Sequence, residues 1–401
     1  MPSLSFITAG ESHGPALTTI VSGLPAELPI DLGFINRHLA RRQGGYGRGA
    51  RQKIESDRAE ILSGVRGGVT TGSPLTIQIV NKDSRLEDVE KTPALTKPRP
   101  GHADLAGALK YSTTDCRNVL ERASARETAA RTAAGLVAQL LLREFEIVPF
   151  GFVRGMLDAQ TDVEPSASAL ETLTQARDAS NVFCPDGDVT EKIIQHIHRA
   201  KTEQDTVGGL CEVHVFNVPA GLGSCMQWDL RLDARLAGAV MSIQAFKSVE
   251  IGLGKDVAFL PGSKVHDAIQ YDAKRAGTPC MGFTRPTNNA GGIEGGMSNG
   301  MPIVVRGAMK PISTLLRGMP SVDLKTLEAA HSAYERSDVC ALPAASVVME
   351  NVVAFEIAKA FLEKFSGDTM RDVRAAFEHY LRMNRSEDSA AGETEHDQSE
   401  A

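Results

Sequence analysis

The sequence has five stretches in which histidine, arginine, lysine or hydroxyl side chains stand among glycines or prolines at spacings usable for chemistry. The first is Gly10-Glu11-Ser12-His13-Gly14, after a short apolar start. Imidazole gives or takes a proton near neutral pH, and flanking glycines allow the backbone to carry it into a cleft. By itself the pattern also fits a surface turn.

The second runs from Arg41 to Arg51 and holds Arg41, Arg42, Arg48 and Arg51 spaced by glycines. Forked guanidinium donors and exposed backbone N–H groups suit phosphates and carboxylates. RNA or DNA is the rival ligand. With one Trp, 5% aromatic residues and a formal charge of −7, the chain lacks the basic, aromatic-rich character of a nucleic-acid binder. A small polyanion is favoured.

The third, Lys97-Pro98-Arg99-Pro100-Gly101-His102-Ala103-Asp104, sets a cation beside an acid–base group on a proline-stiffened approach, or forms an ordinary turn. The fourth is Arg122-Ala123-Ser124-Ala125-Arg126-Glu127-Thr128. Ser124 and Glu127 have capping-box spacing, so free N–H groups and two arginines would face an anion at a helix start. The fifth is dispersed over Gly291–Gly300, Lys310-Pro311-Ile312-Ser313-Thr314 and Arg336-Ser337-Asp338, and is readable as phosphate contacts or as scattered turns. Neither a P-loop nor a strand-to-helix G-x-G-x-x-G is present.

These stretches need positioning elements. Alternation predicts strands over Ala59–Ser63, Leu75–Val80, Glu212–Phe216 and Ile303–Arg306. Helices are predicted from Asp31 as cap to Arg41, with Phe34, Ile35 and Leu39 on one face, and over Asp229–Ile243, Ala344–Phe365 and Val373–Leu381. The helix over Ala125–Phe145 presents Ala129, Ala130, Ala133, Ala134 and Val137 as a small-residue face fit for close packing. Helices and strands intermix without regular βαβ alternation, which favours an α+β class. No linker divides the chain, so one domain is expected over 1–385, with an acidic disordered tail over 386–401.

That tail holds six acids and no Lys or Arg, which leaves the body near neutral. The six cysteines form no C-x-x-C pair, so free thiols are expected and a metal site is not. The N-terminus lacks a signal-peptide pattern and no apolar run reaches membrane-spanning length, so a cytoplasmic protein is expected, with no membrane or nucleic-acid partner.

Taken together, the motifs resemble one family. GESHG at 10–14, RRQGGYGRGARQKIESD at 41–57, RPGHADLAGALKY at 99–111, RASARET at 122–128, SIQAFKSVEIG at 242–252, TNNAGGIEGGMSNG at 287–300, KPIST at 310–314 and RSDVCALPAA at 336–345 are similar to chorismate synthase motifs, in family order. Ser112 stands where a Gly often follows the tyrosine, outside the catalytic positions.

The resemblance implies a single large α+β domain with helices between antiparallel sheets, usually a homotetramer. It also implies 1,4-anti elimination of phosphate from 5-enolpyruvylshikimate 3-phosphate with reduced FMN and no net redox change. His13, His102 and Asp338 would be catalytic. FMN would be held by Arg122, Ala123, Ser124, Gln244, Ala245, Gly295, Lys310, Pro311, Ile312, Ser313, Thr314 and Arg336. Arg42, Arg48, Arg99 and Arg126 would bind substrate. Some family members' Arg42 and Arg48 positions are instead assigned to NADPH, and a bifunctional form that reduces its own flavin with NADPH is the alternative activity.

Overall fold

The computed structural model describes residues 3–49, 56–332 and 338–384. Arg51, Arg336 and the acidic tail expected over 386–401 lie outside the described residues.

The expected strands form, and they pair into two antiparallel sheets. In the first, Ser5–Ala9, Ala16–Ser22, Leu75–Val80 and Ala59–Ser63 lie in that spatial order. In the second, the order is Phe246–Ile251, Ile303–Met309, Gly209–Phe216, Val148–Met156 and Ala159–Gln160. Alternation in Ala16–Ser22 turns Leu17, Thr19 and Val21 inward and leaves the other face toward solvent, as expected for a sheet covered on one side. Val148–Met156 is buried nearly throughout, because helices cover both of its faces.

Three helices fill the space between the sheets: α1 (Leu32–Gln43), α4 (Thr128–Arg143) and α9 (Leu342–Lys364). Before α4 come α2 (Asp104–Lys110) and α3 (Arg117–Ala123). After it come α5 (Leu170–Ala179), α6 (Gly187–Thr202), α7 (Leu232–Met241) and the one-turn α8 (Gly262–Val265), and α10 (Met370–Met383) follows α9. Helix α4 packs on Ala16–Ser22 and on α9, and α9 packs on Val148–Met156 and Gly209–Phe216. The layers are therefore sheet, helices, sheet. α9 is apolar all round, which is the composition of a helix buried between layers. The small face of α4 allows its close approach. A Cβ on Gly135 would stand 2.4 Å from the Asn351 carbonyl oxygen on α9.

Three local predictions change in detail, and one holds. Asp31 caps α1 as expected, accepting from the Phe34 N–H at 2.8 Å. The capping box at 124–127 does not form. A 3₁₀ turn over Ala125–Glu127 precedes α4, and Ser124 accepts from the Arg126 N–H instead. The Glu127 carboxylate turns away because Thr8, Arg131 and Gln244 offer it side-chain donors. The segment 229–243 divides into a 3₁₀ turn over Trp228–Leu230 and the shorter α7. The weakly patterned helix near the C-terminus is longer than expected, since Thr369 and Asp372 close a reciprocal capping box at its start.

Candidate active site

The site grows from the turn that follows the first strand. Gly10 has φ +106°, and a Cβ there would lie 2.3 Å from the Ala16 carbonyl oxygen, so the sharp turn requires glycine. Asn81 then ties the turn down by donating to the Gly14 carbonyl at 2.8 Å and to the Glu11 carbonyl at 3.1 Å. The result is a buried His13 whose backbone N–H donates to Glu121 on α3 at 2.8 Å.

Around that turn stands a buried cationic group. Arg42, at the end of α1, and Arg126, in the 3₁₀ turn before α4, grip opposite oxygens of Asp57 at 2.8 and 2.5 Å. Arg126 also donates to Asn81 at 2.8 Å, and Arg42 to Thr128 at 3.1 Å. Burial pushes the Asp57 carboxyl up, but the two guanidiniums outweigh it and hold it below the usual carboxylate range. Burial pulls Arg42 below its ordinary value; Asp57 opposes that, while Arg126 and Arg48 reinforce it. Arg122 projects from the end of α3 and donates to the carbonyls of Gly10 and Thr8, at 3.0 Å each.

A second group joins two segments far apart in sequence. Arg99 donates to Asp104 at 2.8 Å and to Thr314 at 3.0 Å, and His102 Nδ1 bonds the same Asp104 carboxylate. Lys310 donates to the Gly101 carbonyl and to Ser313, both at 2.8 Å. Burial, then nearby Lys247, lowers the Lys310 ammonium's pKa, as expected where two cations crowd a site for an anion. Asp104 is fully buried and is held strongly acidic by His102 and Arg99 against its burial.

Gln244 and Ala245 connect the two groups. The Gln244 amide donates to Glu127 at 3.2 Å, and the Ala245 carbonyl accepts from the Lys310 N–H at 2.9 Å. Ala245 has φ +71°, a strained left-handed conformation for a residue with a Cβ, of the kind that collects at functional sites. A third group forms where Asp338 accepts from Arg48 at 2.7 Å and from the Gly49 N–H at 2.6 Å. Chain 206–207 bridges it to the second group, with Thr206 donating to the Ile312 carbonyl and Val207 N–H to the Val339 carbonyl.

The family model described as chorismate synthase matches residues 4–362. The chain belongs to the chorismate synthase family. The chorismate synthase of Desulforamulus reducens is 52% identical over 391 residues, covering 95% of this chain and 99% of its own. That of Geobacter sulfurreducens is 52% identical over 392 residues, covering 95% and 99%. A structure titled "Crystal Structure of Chorismate Synthase" superposes with a TM-score of 0.78 at 41% identity and covers 96% of this chain and 99% of that one.

Most of the expected residues therefore fall into three linked groups: His13, Arg42, Arg122 and Arg126; Arg99, His102 and Lys310–Thr314; Arg48 and Asp338. Ala123 ends α3 and Ser124 opens the next turn. Gly295 stands apart, at the tip of the hairpin joining Ile293-Glu294 to Met297-Ser298. That hairpin reaches the site through α7, whose Leu232 N–H donates to the Gly296 carbonyl at 2.8 Å.

The motifs pointed to the cations, and the structure adds their buried acids: Asp57, Asp104, Glu121 and Glu127. A signal existed, since buried arginines require counter-charges and each acid lies within or beside a motif. A different cluster, Glu164, Glu212 and His214, has metal-like spacing. Arg154 and Arg306 already pair with its carboxylates and compete with any cation.

A phosphate-bearing flavin fits the polar groups present: Gln244 Oε1 is a buried acceptor without a partner, which a flavin ring N–H would satisfy, while Arg42 Nε and Arg48 Nε are unpartnered buried donors on the arginines expected to hold substrate.

Proposed function

We propose that this chain converts 5-enolpyruvylshikimate 3-phosphate to chorismate and phosphate by 1,4-anti elimination with FMN bound in its reduced form, as a cytoplasmic homotetramer in the shikimate pathway. The observation that carries the reading is the pairing of two imidazoles with clustered arginines on either side of Gln244–Ala245, in a chain with the family's motifs throughout.

Reduced FMN held by these residues would supply electron density for the departure of the allylic phosphate. The protein's own part is to bind, orient and move protons. Arg42, Arg48, Arg99 and Arg126 hold the phosphate and two carboxylates of the substrate. Burial of Arg42 beside Arg126 favours this small polyanion over NADPH for that position. His13 gives a proton or hydrogen bond to the departing phosphate. His102, oriented by Asp104, steadies the reduced cofactor. Asp338, held by Arg48 at 2.7 Å, would help the flavin's N5 take up the C6 proton. Arg122–Ser124, Gln244, Ala245, Gly295, Lys310–Thr314 and Arg336 form the cofactor's surroundings.

The test is anaerobic turnover with dithionite-reduced FMN, following phosphate release and chorismate absorbance. Product with reduced FMN and none with oxidised FMN is expected. Absence of phosphate release under both conditions would refute the reading. Light scattering after gel filtration tests the tetramer.

A further inference from the structure

The role given to His13 depends on which ring nitrogen faces the substrate, and the structure fixes that through a residue outside the recognised catalytic positions. Glu121, on α3, is 1% exposed. One of its oxygens accepts the His13 backbone N–H at 2.8 Å. His13 Nδ1 lies 3.0 Å from Oε1 and 3.1 Å from Oε2. An ionised carboxylate can only accept, so Nδ1 carries a hydrogen and Nε2 is turned outward. At the outer side, Arg85 Nη2 is 3.3 Å from Nε2 and Asp83 Oδ2 is 3.8 Å away. Behind Glu121, Arg117 Nη1 approaches at 3.6 Å. Burial pushes the Glu121 carboxyl up, yet the hydrogen bonds and charge of His13, helped by Arg117, hold it low. The carboxylate therefore stays ionised in the pH range where an imidazole titrates.

We propose that Glu121 is the positioning residue that keeps Nδ1–H anchored, aims Nε2 at the substrate's phosphate and stabilises the imidazolium needed for proton donation. This rests on the reading of His13 as the group facing the departing phosphate. In the step itself the Nε2–H bond breaks, an O–H bond forms on a phosphate oxygen, and neutral His13 remains with Nδ1–H on Glu121. Arg85 can only donate, so its 3.3 Å contact is to an unprotonated Nε2; the arriving phosphate draws the guanidinium to itself, which frees Nε2 to take up the proton that it then gives to the phosphate oxygen.

The test compares wild type, Glu121→Gln, Glu121→Asp, His13→Ala and the double variant His13→Ala/Glu121→Gln in the reduced-FMN assay over pH 5.5–9. An acid beside a carboxylate holds its proton to higher pH, so loss of the charge moves the alkaline limb of kcat to lower pH. For Glu121→Gln the expected shift is about one unit or more, with about a tenfold loss per unit on that limb. Glu121→Asp keeps the charge, so its limb stays near the wild-type position although kcat falls. In the His13→Ala background, Glu121→Gln should cost nothing further. For Glu121→Gln, an equal loss in both backgrounds, or a lower rate with an unmoved limb, would make Glu121 merely structural and overturn the proposal. If His13→Ala alone turns over at nearly the wild-type rate, the reading of His13 fails first and the proposal with it. Should the Gln variant not fold, the Asp variant decides by the backgrounds alone: its kcat loss should vanish in His13→Ala, and an equal loss in both backgrounds would overturn the proposal.

Discussion

Replacing Asp57 by Asn probes the charge arrangement on which the substrate pocket is built. Asp57 is buried and bridges Arg42 and Arg126 at 2.8 and 2.5 Å. Asparagine preserves the volume but has one acceptor oxygen, so one guanidinium is left facing an amide NH₂ and neither keeps its counter-charge. Breaking such a buried pair costs about 3–5 kcal/mol, most of it the penalty of the cations left behind. Urea unfolding followed by circular dichroism at one protein concentration should show that deficit at pH 7. Because the folded-state pKa of Asp57 is depressed, its contribution is complete above the unfolded value of about 3.9 and is lost as pH falls through the lower folded value. The deficit should therefore be equal at pH 8 and pH 5 and shrink below about pH 4. Substrate binding to the folded state should restore more stability to the variant than to wild type, since its anions replace the missing charge. A loss under about 1 kcal/mol at pH 7, the range of an exposed ion pair, would refute the view that Asp57 organises the two arginines.

Gly135→Ala should cost about 1–3 kcal/mol in thermal unfolding through overpacking, because the added Cβ would meet Asn351 atoms at 2.4 and 2.5 Å across α4 and α9. Glu350 is held at about 2, well below its ordinary 4.5, by Arg41 and Arg177 against its burial. Its contribution should persist above pH 4.5 and fade as pH falls toward 2, so the stability gap between wild type and Glu350→Gln should be smaller at pH 3 than at pH 7. His102→Ala should lower reduced-FMN turnover by about two to four orders of magnitude; a near-wild-type kcat would remove His102 from the chemistry.

The sequence by itself determined the family, four strands of the two sheets, α1, α9 and most of the cations, because periodicity, caps and glycine-spaced motifs are local properties of the chain. It also marked the small-residue face of α4, although not the helix it would meet. Only the tertiary structure decided which acid serves which base. His13 finds Glu121 across 108 residues, and Arg99 finds Thr314 across 215. Such pairings depend on sheet order and on how closely α3, α4 and the segment at 310–314 approach, none of which leaves a spacing in the sequence. The capping box shows the same limit from the other side. Ser124 and Glu127 had the right local spacing, but Thr8, Arg131 and Gln244 drew the glutamate away. A carboxylate in a crowded site goes to the donors that packing brings within reach, whatever its neighbours along the chain offer.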